Sequence, residues 1–304
     1  MMKVKLATLP DGVRLAVSPL SWANDVLEDL GADISLETCL DEAAHVGYQG
    51  VELGRKMPRS PAALTPLLES RGLALASGWH SGQLAQADID SEMISVATHA
   101  GLLRAMGSTV LVYGETAMMA PGAPLDVAMS ARLVMPKEEV AAYAARLTEF
   151  GRRMTGEYGL TLAYHHHLMM VAETFDEISS LFDQTGPEVG LLLDTGHAAA
   201  AGFEYTRLIE RFAERIAHIH LKDIRSPVMA AVREGDLSFN DAVRRGMFTV
   251  PGDGIVDFAP LAAHVRKSGY RGWLVVEAEQ DPAMVPPLPA VTAAFDHIIK
   301  TFAA

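Results

Sequence analysis

The sequence predicts a single α/β domain, residues 1–304, closed into a (β/α)8 barrel. Short aliphatic or β-branched runs alternate with longer segments of helical period, the pattern of βα units and a parallel sheet. About eight such runs occur, the number a barrel needs. No repeat, low-complexity tract or shift in composition divides the chain.

The expected strands cover residues 14–18, 50–52, 73–78, 109–113, 160–165, 189–194, 217–221 and 273–277. Between them lie helices with readable starts and stops. Ser35 precedes apolar Leu36, Leu40, Ala43 and Ala44, and Gly47 ends that segment. Ser60 and Pro61 open residues 62–70, which stop at Gly72. Pro136 opens a long segment to Tyr158 before Gly159, and Thr174 caps residues 175–184 ahead of Gly186 and Pro187. Two connections exceed ordinary length: 117–135, with Pro121-Gly122-Ala123-Pro124, and 225–257, with a short helix near 238–245. Both follow strands, so both belong on the carboxyl-terminal face where barrels place their chemistry.

With 49% hydrophobic and 21% charged residues the chain has enough apolar side chain for a core. A formal net charge of −13 argues against nucleic-acid and anionic-membrane partners, which demand clustered Lys and Arg. A small neutral molecule, or one held by a metal, fits better. The single cysteine, Cys39, excludes an intrachain disulfide and reads as a buried core thiol in a reducing compartment. No stretch approaches roughly 18 uninterrupted apolar residues, the length a membrane span needs. Residues 1–11 carry Lys3 and Lys5 without a signal-peptide apolar run, so a cytoplasmic protein is expected.

The histidines are concentrated where the chemistry should be. His165, His166 and His167, then His197, then His218 and His220 fall at or near the ends of three expected strands. Side chains alternate along a strand, so His165 and His167 share a face, as do His218 and His220, and Glu277 and Glu279. On the inward face these pairs converge with Asp194 at the barrel mouth. A His, Asp and Glu set without Cys suits one divalent ion, Mn2+ or Co2+ first, then Zn2+ or Mg2+. The expected ligands are His165, Asp194, His220 and Glu277. Other roles fit the same residues singly: Asp194 can cap the following turn, His218 can be a hydrogen-bonded core histidine, His166 should face the surrounding helices, and Glu279 can be a solvated loop carboxylate.

Several motifs carry a resemblance. Leu193-Asp194-Thr195-Gly196-His197, Arg215-Ile216-Ala217-His218-Ile219-His220-Leu221-Lys222-Asp223, Gly252-Asp253-Gly254 and a last strand ending in Glu277 resemble the sugar isomerase/epimerase and AP-endonuclease-2 superfamily of xylose-isomerase-like TIM barrels. Ser18-Pro19-Leu20-Ser21-Trp22-Ala23-Asn24-Asp25, Gly50-Val51-Glu52-Leu53-Gly54, the triple histidine and Val275-Val276-Glu277-Ala278-Glu279-Gln280-Asp281-Pro282 extend it over nearly the whole chain and make it most similar to the inosose dehydratase family. That resemblance implies a cytoplasmic metal-dependent hydro-lyase of inositol catabolism, removing water from 2-keto-myo-inositol (scyllo-inosose) to give a trihydroxycyclohexane-dione. A keto-sugar isomerase or epimerase using the same enolate chemistry is the alternative.

Asp194, His220 and Glu277 match superfamily ligand positions. The usual fifth-strand Glu-Asn-His element is replaced, His165 standing for the Glu and His167 for the His, so the fifth-strand ligand stays open between them. His197, Lys222, His167 and Glu277 are the expected catalytic residues. Trp22, Asn24, Glu52, His197 and Glu279 are the expected substrate contacts, with Trp79 and Asp25 also candidates for the pocket wall. The endonuclease reading fails because Gly246 and Phe248 stand where its extra Asp and His ligands should be. The expected partners are therefore a small polyol ketone and a second copy of the chain in a homo-oligomer, with residues 225–257 at an interface.

Overall fold

The computed structural model describes residues 9–303, so the expectations resting on residues 1–8 lie outside it. The chain begins with β1 (Val13–Val17), α1 (Leu36–Val46), β2 (Gly50–Val51), α2 (Pro61–Glu69), β3 (Ala74–Leu75) and β4 (Trp79–Gly82). It continues through α3 (Ile89–Ala105), β5 (Val110–Glu115), α4 (Lys137–Arg153), β6 (Thr161–His165), α5 (Phe175–Phe182), β7 (Val189–Asp194), α6 (Thr195–Ala200), α7 (Thr206–Phe212) and β8 (Ile216–Leu221). β9 (Asp223–Ile224), α8 (Ser226–Glu234), α9 (Phe239–Arg244), β10 (Phe248–Thr249), α10 (Ala259–Ser268), β11 (Gly272–Val276) and α11 (Pro287–Phe302) complete it.

Among the described residues the main sheet has nine strands in the order β3-β2-β1-β11-β8-β7-β6-β5-β4, all paired in parallel. The two ends of that order, β3 and β4, are consecutive in the chain, so the sheet curls round to meet itself. Residues 73–78 were expected as one strand. Instead β3 pairs with β2, and β4 pairs with β5 after a break at Ala76–Gly78. The break is the seam: one stretch of chain serves the first half of the sheet and then the last, and no single straight strand can do both. The other expected strands lie within two residues of those observed.

Local chemistry sets the helix ends. Ser35 Oγ accepts from Thr38 N, and Gly47 closes α1 with φ 109°. Thr174 and Glu177 form a reciprocal capping box at α5, and Ser238 and Asp241 form one at α9. Pro136 precedes α4, whose end runs through a π-helical turn, Met154–Tyr158, to Gly159.

The two long connections meet each other over the barrel mouth. Met129 N donates to Leu237 O (3.1 Å), and Asn240 Nδ2 donates to Asp126 Oδ1 (2.7 Å). Beneath them Leu27, Leu125, Leu168, Phe239, Met247 and Phe248 pack into a core distinct from the barrel's own. The 225–257 segment also holds α8 and β10, which pairs antiparallel with β9 just ahead of the segment, and none of these was expected. Among the described residues no helix is long and apolar enough to cross a membrane.

Candidate active site and metal centre

β6 ends at His165, β7 ends at Asp194, β8 carries His218 and His220, and past β11 the Glu277 amide continues the ladder by donating to Leu221 O (3.1 Å). Their side chains meet at the carboxyl-terminal end of the sheet. Asp194 Oδ2 lies 3.5 Å from His165 Nε2 and 3.6 Å from His220 Nδ1, and His220 Nδ1 lies 2.7 Å from Glu277 Oε2. All four residues are buried.

The remaining valences of these groups are already used. His165 Nδ1–H donates to His166 O (2.7 Å), which leaves the lone pair on Nε2. His220 Nε2–H donates to Glu52 Oε1 (3.0 Å), which turns Nδ1 toward Asp194 and Glu277. Asp194 Oδ1 accepts from His197 N (2.7 Å) as the cap of α6, while Oδ2 is buried without a hydrogen-bond partner. Such an orphaned atom calls for a partner that the described residues do not supply. Charge makes the same demand. Asp194, Glu277 and Glu279 are buried around Lys222, and Glu52 is buried against His218 and His220. His165, Asp194 and His220 offer ligand atoms within 4.8 Å of one another, a spacing one metal ion can take, and Glu277 faces that group through His220. The carboxylate–histidine pairing of Glu52 with His220 is the support that metal-binding imidazoles commonly have.

The Asp194-Thr195-Gly196-His197 segment is built around Lys222 as well. Thr195 Oγ1 donates to Lys222 O (2.7 Å) and accepts from Lys222 N (3.0 Å). A Cβ on Gly196 would stand 2.5 Å from Lys222 Cγ, so glycine there lets the lysine stem pass. Lys222 Nζ then reaches Glu277 Oε1 (2.5 Å), Glu279 Oε2 (3.0 Å) and His197 Nε2 (3.0 Å).

Burial works against the Lys222 ammonium, but Glu277, Glu279 and Asp194 outweigh it and raise its pKa. Burial likewise opposes the Asp194 and Glu277 carboxylates. Lys222 with His197 holds Asp194 well below the usual range, and Lys222 with His220 brings Glu277 down to about 2. Burial, then Glu277, raises Glu279, with Lys222 pulling the other way. Burial, reinforced by His165 and Lys222, keeps His167 neutral, well below its ordinary value.

Above this cluster opens a cavity of about 590 Å3. His165, His167, His220, Glu277 and Glu279 reach it from below, and Trp79 walls it, edge-on to His165 and His167 at 5.7 and 6.0 Å between ring centres. A Cβ on Gly114 would fall 1.9 Å from Trp79 Cη2, so glycine in β5 is what allows the indole to lie there. Asp25, Glu52, Asp126, Glu277 and Glu279 line the cavity, and among the described residues no Arg or Lys does.

Comparison with known proteins places this architecture. Residues 40–301 match the family described as the xylose isomerase-like TIM barrel. The chain is 45% identical over 292 residues to the rhizopine catabolism protein MocC of Rhizobium meliloti, covering 96% of this chain and 89% of that one. It is 40% identical over 277 residues to inosose dehydratase 2 of Bacillus cereus, covering 90% and 92%. The chain belongs to the inosose dehydratase family. Members of the inosose dehydratase family are hydro-lyases, and its fold recurs in a solved structure of the IolI protein with a bound zinc atom, with TM-score 0.68 and 15% identity over 95% of this chain and 98% of that one.

In this dehydratase-family barrel the expected residues fall into three groups. The ligand atoms of His165, Asp194 and His220 fall within 4.8 Å of one another, while Glu277 stands beside His220 and groups with Asp194 and His197. His167, His197 and Glu279 form a neighbouring group with ligand atoms within 4.8 Å of one another, so the two histidines left open in strand five take different places. His166 turns outward against Phe203 and accepts from Asp194 N (3.2 Å). Glu279 is buried against Lys222.

Of the expected substrate contacts, Asn24 lines the cavity with Oδ1 accepting from Val26 N and Leu27 N, and Asp25 and Trp79 line it too. Trp22 is buried outside the lining, its Nε1 donating to Glu42 Oε2 (2.6 Å). Glu52 reaches the cavity while accepting from His218 (3.2 Å), His220 and, by a short contact, Ser77. That bracing role of Glu52 was missed, because 168 residues separate it from His220 and no local signal links them.

Proposed function

We propose that this chain removes water from 2-keto-myo-inositol (scyllo-inosose), giving a trihydroxycyclohexane-dione, with one divalent metal held by His165, Asp194, His220 and Glu277. One observation carries the substrate class. The cavity is lined by five carboxylates, histidines and Trp79, and by no Arg or Lys among the described residues. Phosphorylated or carboxylated sugars would meet no Arg or Lys on that wall to pair with, whereas a neutral polyol finds hydrogen-bond acceptors and an aromatic face. The relatives named inosose dehydratase support the same reading, and the zinc atom in the IolI structure supports a metal in this fold.

When bound, the ion supplies positive charge against the negative charge that develops on the ketone oxygen. The chain's own groups divide the proton work. Elimination takes a proton from the carbon beside the ketone and expels hydroxide from the next carbon, and the enol left behind tautomerises to the dione. Both oxygens of Glu277 are engaged, Oε1 by Lys222 and Oε2 by His220. His167 Nδ1–H donates to Leu168 O (2.6 Å), so a neutral ring presents its lone pair on Nε2 and accepts the proton. Glu279, raised by burial, hands a proton to the departing hydroxyl, and Lys222 and His197 behind it hold its carboxyl in place.

The test is incubation of metal-free protein with 2-keto-myo-inositol and single divalent metals. A new ultraviolet chromophore that requires metal is expected, and His167→Ala should slow it by about 10^2–10^4-fold with metal content unchanged. An epimerised ketose without a chromophore would make the chain an isomerase instead. No turnover by metal-loaded protein would overturn the proposal.

A further inference from the structure

We propose that Lys222 is a built-in second cation, occupying the place a second metal would take and keeping the centre mononuclear. The inference rests on the metal ligands assigned above. The Lys222 ammonium donates to two carboxylates, Glu277 Oε1 (2.5 Å) and Glu279 Oε2 (3.0 Å), and His197 Nε2 lies 3.0 Å from it. Asp194 Oδ2 lies 4.0 Å away. These are metal-ligand groups. The His167, His197 and Glu279 ligand atoms fall within 4.8 Å of one another, and so do those of Asp194, His197 and Glu277.

Glu277 joins the two places, with Oε2 on His220 Nδ1 at the first and Oε1 on Lys222 at the second. That is how a bridging carboxylate serves paired metals, which sit about 3.5–4 Å apart. A lysine delivers one positive charge with no affinity to lose, and its ammonium, carried on a stem fully buried in the space Gly196 leaves, stands among the ligand atoms of the second group. Occupancy of this place is therefore set by the chain itself and not by metal supply.

The test counts Mn2+ bound to purified protein after equilibrium dialysis, with electron paramagnetic resonance to detect coupled ions. Wild type should bind about one Mn2+ per chain with an uncoupled signal even in excess metal, and Lys222→Ala about two with a spin-coupled signal. Adding Glu279→Gln to Lys222→Ala should return the count to about one. Lys222→Met, which refills the space with an apolar stem, should stay at about one. A folded Lys222→Ala that still binds one ion would overturn the inference, as would a coupled pair in wild type, a result available even if the alanine variant does not fold. Wild type binding no Mn2+ would instead sink the metal centre itself.

Discussion

At the tip of β2, Glu52 accepts from His218, His220 and Ser77 and leaves the other ring nitrogen of His220 facing Asp194 and Glu277. Burial disfavours its carboxylate, yet His220 and His218 hold it well below the ordinary carboxylate range. Removing it leaves His220 free to turn. Glu52→Ala should therefore weaken metal affinity about 10–100-fold, the usual cost of losing such support, as measured by competition with a chelator. Unchanged metal affinity with a raised KM would make Glu52 a substrate contact only. Alternation along a strand put His165, Asp194 and His220 on inward faces, where the structure brings them together. His218 was legible as a hydrogen-bonded core histidine, but its partners Glu52 and Ser77 were not, since they reach it only through the closed sheet.

Among elements, β5 shows how a strand end can carry a pH dependence. Glu115 closes it with a buried carboxyl that accepts from Ala85 N (3.0 Å), Ala117 N (2.9 Å) and Tyr113 Oη (2.8 Å). Burial outweighs these bonds and raises its pKa to about 7. Between the unfolded value of about 4.3 and about 7 the folded chain holds more protons than the unfolded one, so stability falls as pH rises through that window and levels off above it. Glu115→Gln should remove up to about 1.4 kcal/mol per pH unit of that slope in urea melts across the window. Equal slopes in both proteins would exclude Glu115 as the cause. The elements most exposed to long-range pairing were the least legible. The seam at Ala76–Gly78 depends on which neighbour each half of the strand meets, and β9–β10 depends on Asp223, whose carboxylate gathers the amides of Ile224, Gly252, Gly254 and Val256. Helices with local caps, α1, α5 and α9, were readable because their start signals sit within a few residues.

For the whole molecule, closure of the sheet is what turns scattered residues into a site. β6, β7, β8 and β11 are adjacent in the barrel although Glu277 and His165 lie far apart in the chain, and the two long connections then roof the cavity they open on. The barrel was legible from alternation alone, while the contact between residues 117–135 and 225–257 was not, being a meeting of two irregular segments. The most direct measurement of the central claim is anomalous diffraction from crystals soaked in Zn2+. The expected result is one strong peak about 2.0–2.2 Å from the donor atoms of His165, Asp194, His220 and Glu277. A fully occupied peak elsewhere, with none among these four residues, would contradict it.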